Sequence, residues 1–145
     1  MAILEENGFV AETCGKTASI KDYNRNNTDI TIQDKVKGYP VDRISNKAFC
    51  NKNLTAVTIP DGIIQIGDRA FADNQLTSIK IPDSVSDIHN DAFANNKITS
   101  IEINNKVKIH GNGGFCSRFV EGFNLNPCKG TYTLNGNNWT FVKKP

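Results

Sequence analysis

The stretch Gln75-Leu76-Thr77-Ser78-Ile79-Lys80-Ile81-Pro82-Asp83-Ser84-Val85-Ser86-Asp87-Ile88 holds the unit from which the fold is read. Ile79 and Ile81 are two residues apart, so on an extended chain they point to one face, while Ser78 and Lys80 point to the other. Pro82 has no amide hydrogen to offer a ladder and ends the strand. Val85 and Ile88 then bring the chain back along the other side of a core. Just upstream, Asp68-Arg69-Ala70-Phe71-Ala72 predicts one helical or 3-10 turn, the small Ala letting Phe71 be buried. Asp73-Asn74-Gln75 turns the chain into the strand.

Outward from this unit, the same features return. Phe49, Phe71, Phe93 and Phe115 recur 22 residues apart, preceded by Ala48, Ala70, Ala92 and then Gly114. Leu54, Leu76, Ile98 and Val120 keep the period, as do Val57, Ile79, Ile101 and Phe123. Ile44, Ile66 and Ile88 keep it too, with His110 at that spacing in the fourth copy. A fixed period of this length marks a solenoid, in which each coil buries its apolar edge only against its neighbours. The Phe side chains are expected to form a column, with five parallel strands near residues 30, 57, 79, 101 and 123 at about 4.8 Å spacing. Lys37-Gly38-Tyr39-Pro40 reads as a turn in a longer first return. Phe9–Ile20 reads as one hairpin; Gly130–Val142, with Asn135-Gly136 at its centre, reads as another. The expected organisation is a single repeat domain over 1–145: a hairpin cap at 8–23, about five coils at 28–126, and a hairpin cap at 129–143.

Composition bounds the function. The chain has 145 residues, 38% hydrophobic and 22% charged, with a formal net charge of +2. That length can hold a core without metal or disulfides. The balance is too apolar for a disordered chain and carries no basic excess of the kind nucleic-acid binders show. No run approaches the ~18 apolar residues of a membrane helix. Met1-Ala2-Ile3-Leu4-Glu5-Glu6 is acidic and lacks an apolar h-region, so it does not read as a signal peptide. Residence inside the cell and export after removal of a leader both fit it.

The unit Leu/Ile-x-x-Ile-x-Ile-Pro-x-x-Val-x-x-Ile-x-x-x-Ala-Phe-x-x-Asn resembles the BspA-like bacterial leucine-rich repeat family. Gln75 to Ile88 and Ile66-Gly67-Asp68-Arg69-Ala70-Phe71 carry the likeness most closely. Lys37 to Ile44 resembles the family's lead-in segment, and Gly130 to Thr140 its tail. The resemblance implies a leucine-rich repeat solenoid, right-handed, with short parallel strands, irregular or 3-10 return segments and β-hairpin caps at both ends. It also implies a bacterial protein, secreted or on the cell surface, engaged in adhesion, without enzymatic activity and without catalytic residues to carry over.

Few residues suggest chemistry. Cys14, Cys50, Cys116 and Cys128 contain no C-x-x-C pair, and only two His are present, so no metal site is expected. Cys50 and Cys116 share a repeat position three coils apart, too far for a disulfide. Cys116 with Cys128 is the pair whose spacing allows one, Cys50 is expected to be a small buried thiol, and Cys14 an exposed free one, unusual in an exported protein. His110 near Cys116 could pair as base and nucleophile, but nothing orients the His. His89 is expected to face outward. Asn51, Asp73, Asn95, Asn53, Asn74 and Asn96 recur at turns and are expected to bond turn backbone; the Gly-Gly-x-Gly-x-Asp pattern of a calcium β-roll is missing.

The binding surface follows from strand alternation. The outward side chains are Thr31, Thr58, Ser78, Lys80, Ser100, Glu102 and Asn124, beside Ala56 and Gly122, a small, polar, near-neutral face. The expected function is a non-enzymatic protein-binding or adhesion module working through that face. A carbohydrate-binding module is the alternative, needing exposed rings for which Trp139, Tyr132 and Tyr23 are the candidates; a purely structural surface spacer is another. The expected partner is a protein, its identity not readable from the sequence, with no nucleic acid, no membrane insertion and no cofactor. The chain is expected to be a monomer.

Overall fold

The computed structural model describes residues 1–115, 119–120, 123, 129–135 and 138–143. Its coils form a β-solenoid with strands on two sides of a core. On the strand side lie β4 (Asp29–Thr31), β7 (Ala56–Thr58), β9 (Ser78–Lys80) and β11 (Ser100–Ile103). On the return side, two-residue strands recur where irregular chain was expected: β8 (Gln65–Ile66), β10 (Asp87–Ile88) and β12 (Lys108–Ile109). They continue in parallel from β6 (Tyr39–Ile44), which pairs with β3 (Thr17–Tyr23). β5 (Lys35–Val36) folds back on β6 through Lys37 and Gly38, both in the left-handed region, as the turn cue required.

The N-terminal cap is the expected hairpin, β2 (Phe9–Cys14) with β3, plus an unforeseen strand β1 (Ile3–Glu6) joined to β2 at Asn7-Gly8. Asn7 (φ 52°) and Gly8 (φ 90°) have the backbone that a tight hairpin turn demands. The C-terminal cap is the expected hairpin of β13 (Gly130–Asn135) and β14 (Asn138–Lys143). β13 pairs antiparallel with β11, taking the place where a fifth parallel strand was expected. Phe123, assigned to that strand, is helical, as are Phe119 and Val120.

The core is a set of columns. Phe49, Phe71 and Phe93 are fully buried and stack ring on ring, with centroids 5.1 and 5.3 Å apart and planes 4° and 6° from parallel; Phe115 continues the column at 5.1 Å. Phe9 and Tyr23 close it at one end, and Phe119 meets Phe115 edge-on at the other. Ile44, Ile66, Ile88 and Ile109 form a second buried column. Ile88 pairs with Ile109, 21 residues on, while Phe93 stacks on Phe115, 22 on. Ile109, and not His110, therefore fills the Ile position of the fourth copy. One residue is lost before β12 and regained in the Gly-rich turn after it. Gly114 there has φ 80°, and a Cβ on it would fall 2.2 Å from the Ala94 amide nitrogen.

The corner before each Phe is no helical turn. Lys47, Arg69 and Asp91 have φ of 59°, 53° and 55°, so each corner is two successive turns hinged on a left-handed residue. A second left-handed position falls on Asn51, Asp73 and Asn95, side chains that tolerate it. Beside it, buried Asn74 donates through Nδ2 to the carbonyls of Phe49, Phe71 and Ala72 and accepts at Oδ1 from the Lys52 and Leu54 amides. Asn96 repeats this one coil on, with Leu76 as its amide partner. The expected Asn-to-backbone bonds thus also tie coil to coil.

Candidate functional site

The alternation in β4, β7, β9 and β11 sets the strand face. Ile30, Ile79 and Ile101 point into the core, whereas Thr31, Thr58, Ser78 and Lys80 are exposed and Ser100 and Glu102 half-exposed. Register places Thr31 beside Thr58, Ser78 beside Ser100, and Lys80 beside Glu102. The C-terminal hairpin prolongs the face, setting Thr131 beside Glu102 and Val142 beside Thr131. Asn124 and Gly122 lie outside the described residues, as does the Cys116 and Cys128 pair.

The face is not one continuous ladder. β4 pairs with β7, and β9 with β11, but among the described residues no backbone hydrogen bond joins β7 to β9. Ile32 N–H donates to the Thr58 carbonyl, and Ile81 N–H to that of Glu102; Ile59 N–H makes no such bond to Lys80. Val57, at an inward position beside this seam, is only half-buried.

At the C-terminal ends of these strands lies an open groove of about 440 Å³, lined by Asp61, Lys80, Pro82, Asp83, Ser84, Glu102 and Lys129. Two of these, Lys80 and Glu102, belong to the face read from sequence. Asp61 and Asp83 were missed, though their signal was present: each follows the strand-ending proline, Pro60 or Pro82, at the 22-residue period. Lys129 reaches Asp83 across the groove as an ion pair. No local pattern announces that contact, because 46 residues separate the two.

The opposite face, over the return ladder, differs in chemistry. A second groove of about 270 Å³ runs over Gly67 between Ser19, Lys21, Arg43, Ser45 and Gln65. Gly67 is required there, since a Cβ would sit 2.5 Å from Asn46 Oδ1 and 2.9 Å from the Ile44 carbonyl. His89 does point outward but is half-buried, its ring stacked on His110 with centroids 4.6 Å apart. His110 Nε2 lies 2.8 Å from Asp87 Oδ1. That hydrogen bond, and then one from Ser86, holds the Asp87 carboxyl below the usual carboxylate range. Asp73 is likewise lowered, first by the Asn95 side-chain amide. Both carboxyls lie off the strand face.

Other candidates find their places. Cys14 is exposed and free; Cys50 is free and half-buried, its Sγ 3.6 Å from Asp73 Oδ2. Tyr23 and Tyr132 are buried, and Trp139 is half-buried against Phe119, so none of the three stands as an open ring platform. Among the described residues no His, Cys, Asp and Glu cluster suits a metal ion, and no helix is long and apolar enough to cross a membrane.

Comparison with known proteins agrees with the coil geometry. Residues 42–135 match the family described as the BspA type leucine-rich repeat region (6 copies). No curated protein matches the sequence. Among solved structures, a leucine-rich repeat protein from Bacteroides capillosus superposes with a TM-score of 0.62 at 26% identity, over 77% of this chain and 89% of that one. A leucine-rich cell surface protein from Faecalibacterium prausnitzii gives 0.40 at 18% identity, over 100% of this chain and 62% of that one. The pneumococcal vaccine antigen PcpA gives 0.47 at 16% identity, over 79% of this chain and 47% of that one. With its Phe and Ile columns, its parallel ladders and a family match over 42–135, the chain belongs to the BspA-type leucine-rich repeat family.

Proposed function

We propose that this chain is a non-enzymatic protein-binding module of adhesion type, monomeric in itself, that engages a protein partner through its strand face and works at the cell surface or outside the cell. The observation that carries the reading is the register: Lys80, Glu102, Thr131 and Val142 lie in one outward row, with Ser78, Ser100, Thr133 and Thr140 in the next. Such rows offer a partner many small contacts on a backbone that does not have to order on binding, which limits the entropic cost of association. Leucine-rich repeat modules commonly serve protein interaction and surface display. Among its described residues the face carries none of the Trp, Tyr or Arg anchors that concentrate binding energy. Useful adhesion then comes from many copies displayed together, where avidity multiplies weak affinity.

The test is binding of bead-displayed chain to a panel of purified extracellular matrix proteins. A Lys80→Glu, Glu102→Lys double variant is expected to lose at least about tenfold in bead retention, while Arg43→Glu on the opposite face keeps it. Loss with Arg43→Glu and retention with the double variant would move the site to the return face. Protease treatment of intact source cells tests the location: the chain is expected to be digested while a cytosolic marker survives.

A further inference from the structure

We propose that the groove at the ends of β7, β9 and β11 takes an extended peptide segment carrying one acidic and one basic side chain, the acid against Lys80 and the base against Asp61. This rests on the strand-face reading and names the partner's chemistry. The volume, about 440 Å³, falls in the range of about 300–1,000 Å³ typical of ligand sites. Its charges are not all satisfied within the molecule. Asp83 is paired with Lys129. Lys80 and Asp61 make no hydrogen bond or ion pair among the described residues, and both are exposed. The groove therefore offers one open ammonium and one open carboxylate on neighbouring coils.

The seam supplies a second, independent reason. Where β7 and β9 leave the face, the bond from Ile59 N–H to the Lys80 carbonyl that the neighbouring pairs would predict is not made. The ladder is thus interrupted beside the two open charges. An extended peptide can lie across this break and answer Lys80 and Asp61 with its own side chains, whereas a neutral sugar would leave the charges unanswered. The Asp83 and Lys129 pair walls the far side and disfavours a segment of uniform charge.

The probe is a set of three nine-residue Ser/Thr/Val peptides: one with Glu and Arg separated by three residues, one with two Glu, and one uncharged. Each is titrated into ¹⁵N-labelled full chain while amide shifts are followed. The Glu/Arg peptide is expected to shift residues 58–61, 78–84 and 102 and to bind at least about fivefold more tightly than the other two. Lys80→Glu with Asp61→Lys, exposed positions whose exchange leaves the core untouched, should keep the spectrum's dispersion and abolish that preference. Equal affinity for all three peptides at these residues would overturn the charge assignment while leaving the strand face as a binding surface. Shifts confined to the return face, or none up to millimolar peptide, would overturn it together with the strand-face reading.

Discussion

The two sides of the solenoid are built from the same repeat yet are held differently. On the return side, pairing is continuous from β1 through β2, β3, β6, β8 and β10 to β12. On the strand side, among the described residues, it is broken between β7 and β9. The return strands are only two residues long, but each sits over a buried Ile column and each coil adds a bond such as Gly67 N–H to the Ile44 carbonyl and His89 N–H to that of Ile66. The strand side has longer strands but a half-buried Val57 at its seam. The continuous ladder thus belongs to the return side, beside the Phe and Asn columns, and the strand face keeps an interrupted ladder and exposed charges.

This contrast can be broken at its centre. Phe71→Ala removes the middle of the stacked column that both sides share, and the neighbouring coils cannot close the gap; a loss of about 4 kcal/mol in denaturant unfolding is expected. On the return side, Ile66→Ala should cost about 3 kcal/mol, against about 1 kcal/mol for Val57→Ala, since Ile66 is fully buried and Val57 is not. Equal costs would mean that the two sides are equally tight. Amide exchange sharpens the same point without mutation: Ile59 and Thr77, flanking the seam, are expected to exchange at least about tenfold faster than Ile32 and Ile81. The smallest effect concerns Asp87. Its carboxyl is lowered in the folded chain by His110, so its contribution is present above the ordinary carboxylate value of 3.8 and is lost as pH falls through and below it. A scan of thermal midpoint from pH 5 to pH 2.5 should show a shallower acid fall in Asp87→Asn than in wild type.

Much of this was legible in the residues. The 22-residue spacing of Phe49, Phe71 and Phe93 predicted a column, and their rings stack within 6° of parallel. The alternation of Ser78, Ile79 and Lys80 predicted which side chains face out. What failed had local causes that pattern counting does not see. Asp68 to Ala72 has good helix formers, but Arg69 is left-handed, a conformation imposed by the corner and not by the propensity of Arg. His110 sits at the expected count from Phe115, yet a one-residue deletion compensated by the Gly turn puts Ile109 in the column. The fifth strand was extrapolated from period alone, and the hairpin took its place beside β11.

The order of residues, by itself, determined the coil and its inward and outward sides, because the period of two along a strand and the fixed repeat length are properties of neighbouring residues. The tertiary structure alone decided the broken ladder, the pairing of Asp83 with Lys129, and the two charges left open beside it. Those depend on how far one coil slides and tilts over the next, which is settled by the packing of whole columns and by contacts between residues remote along the chain.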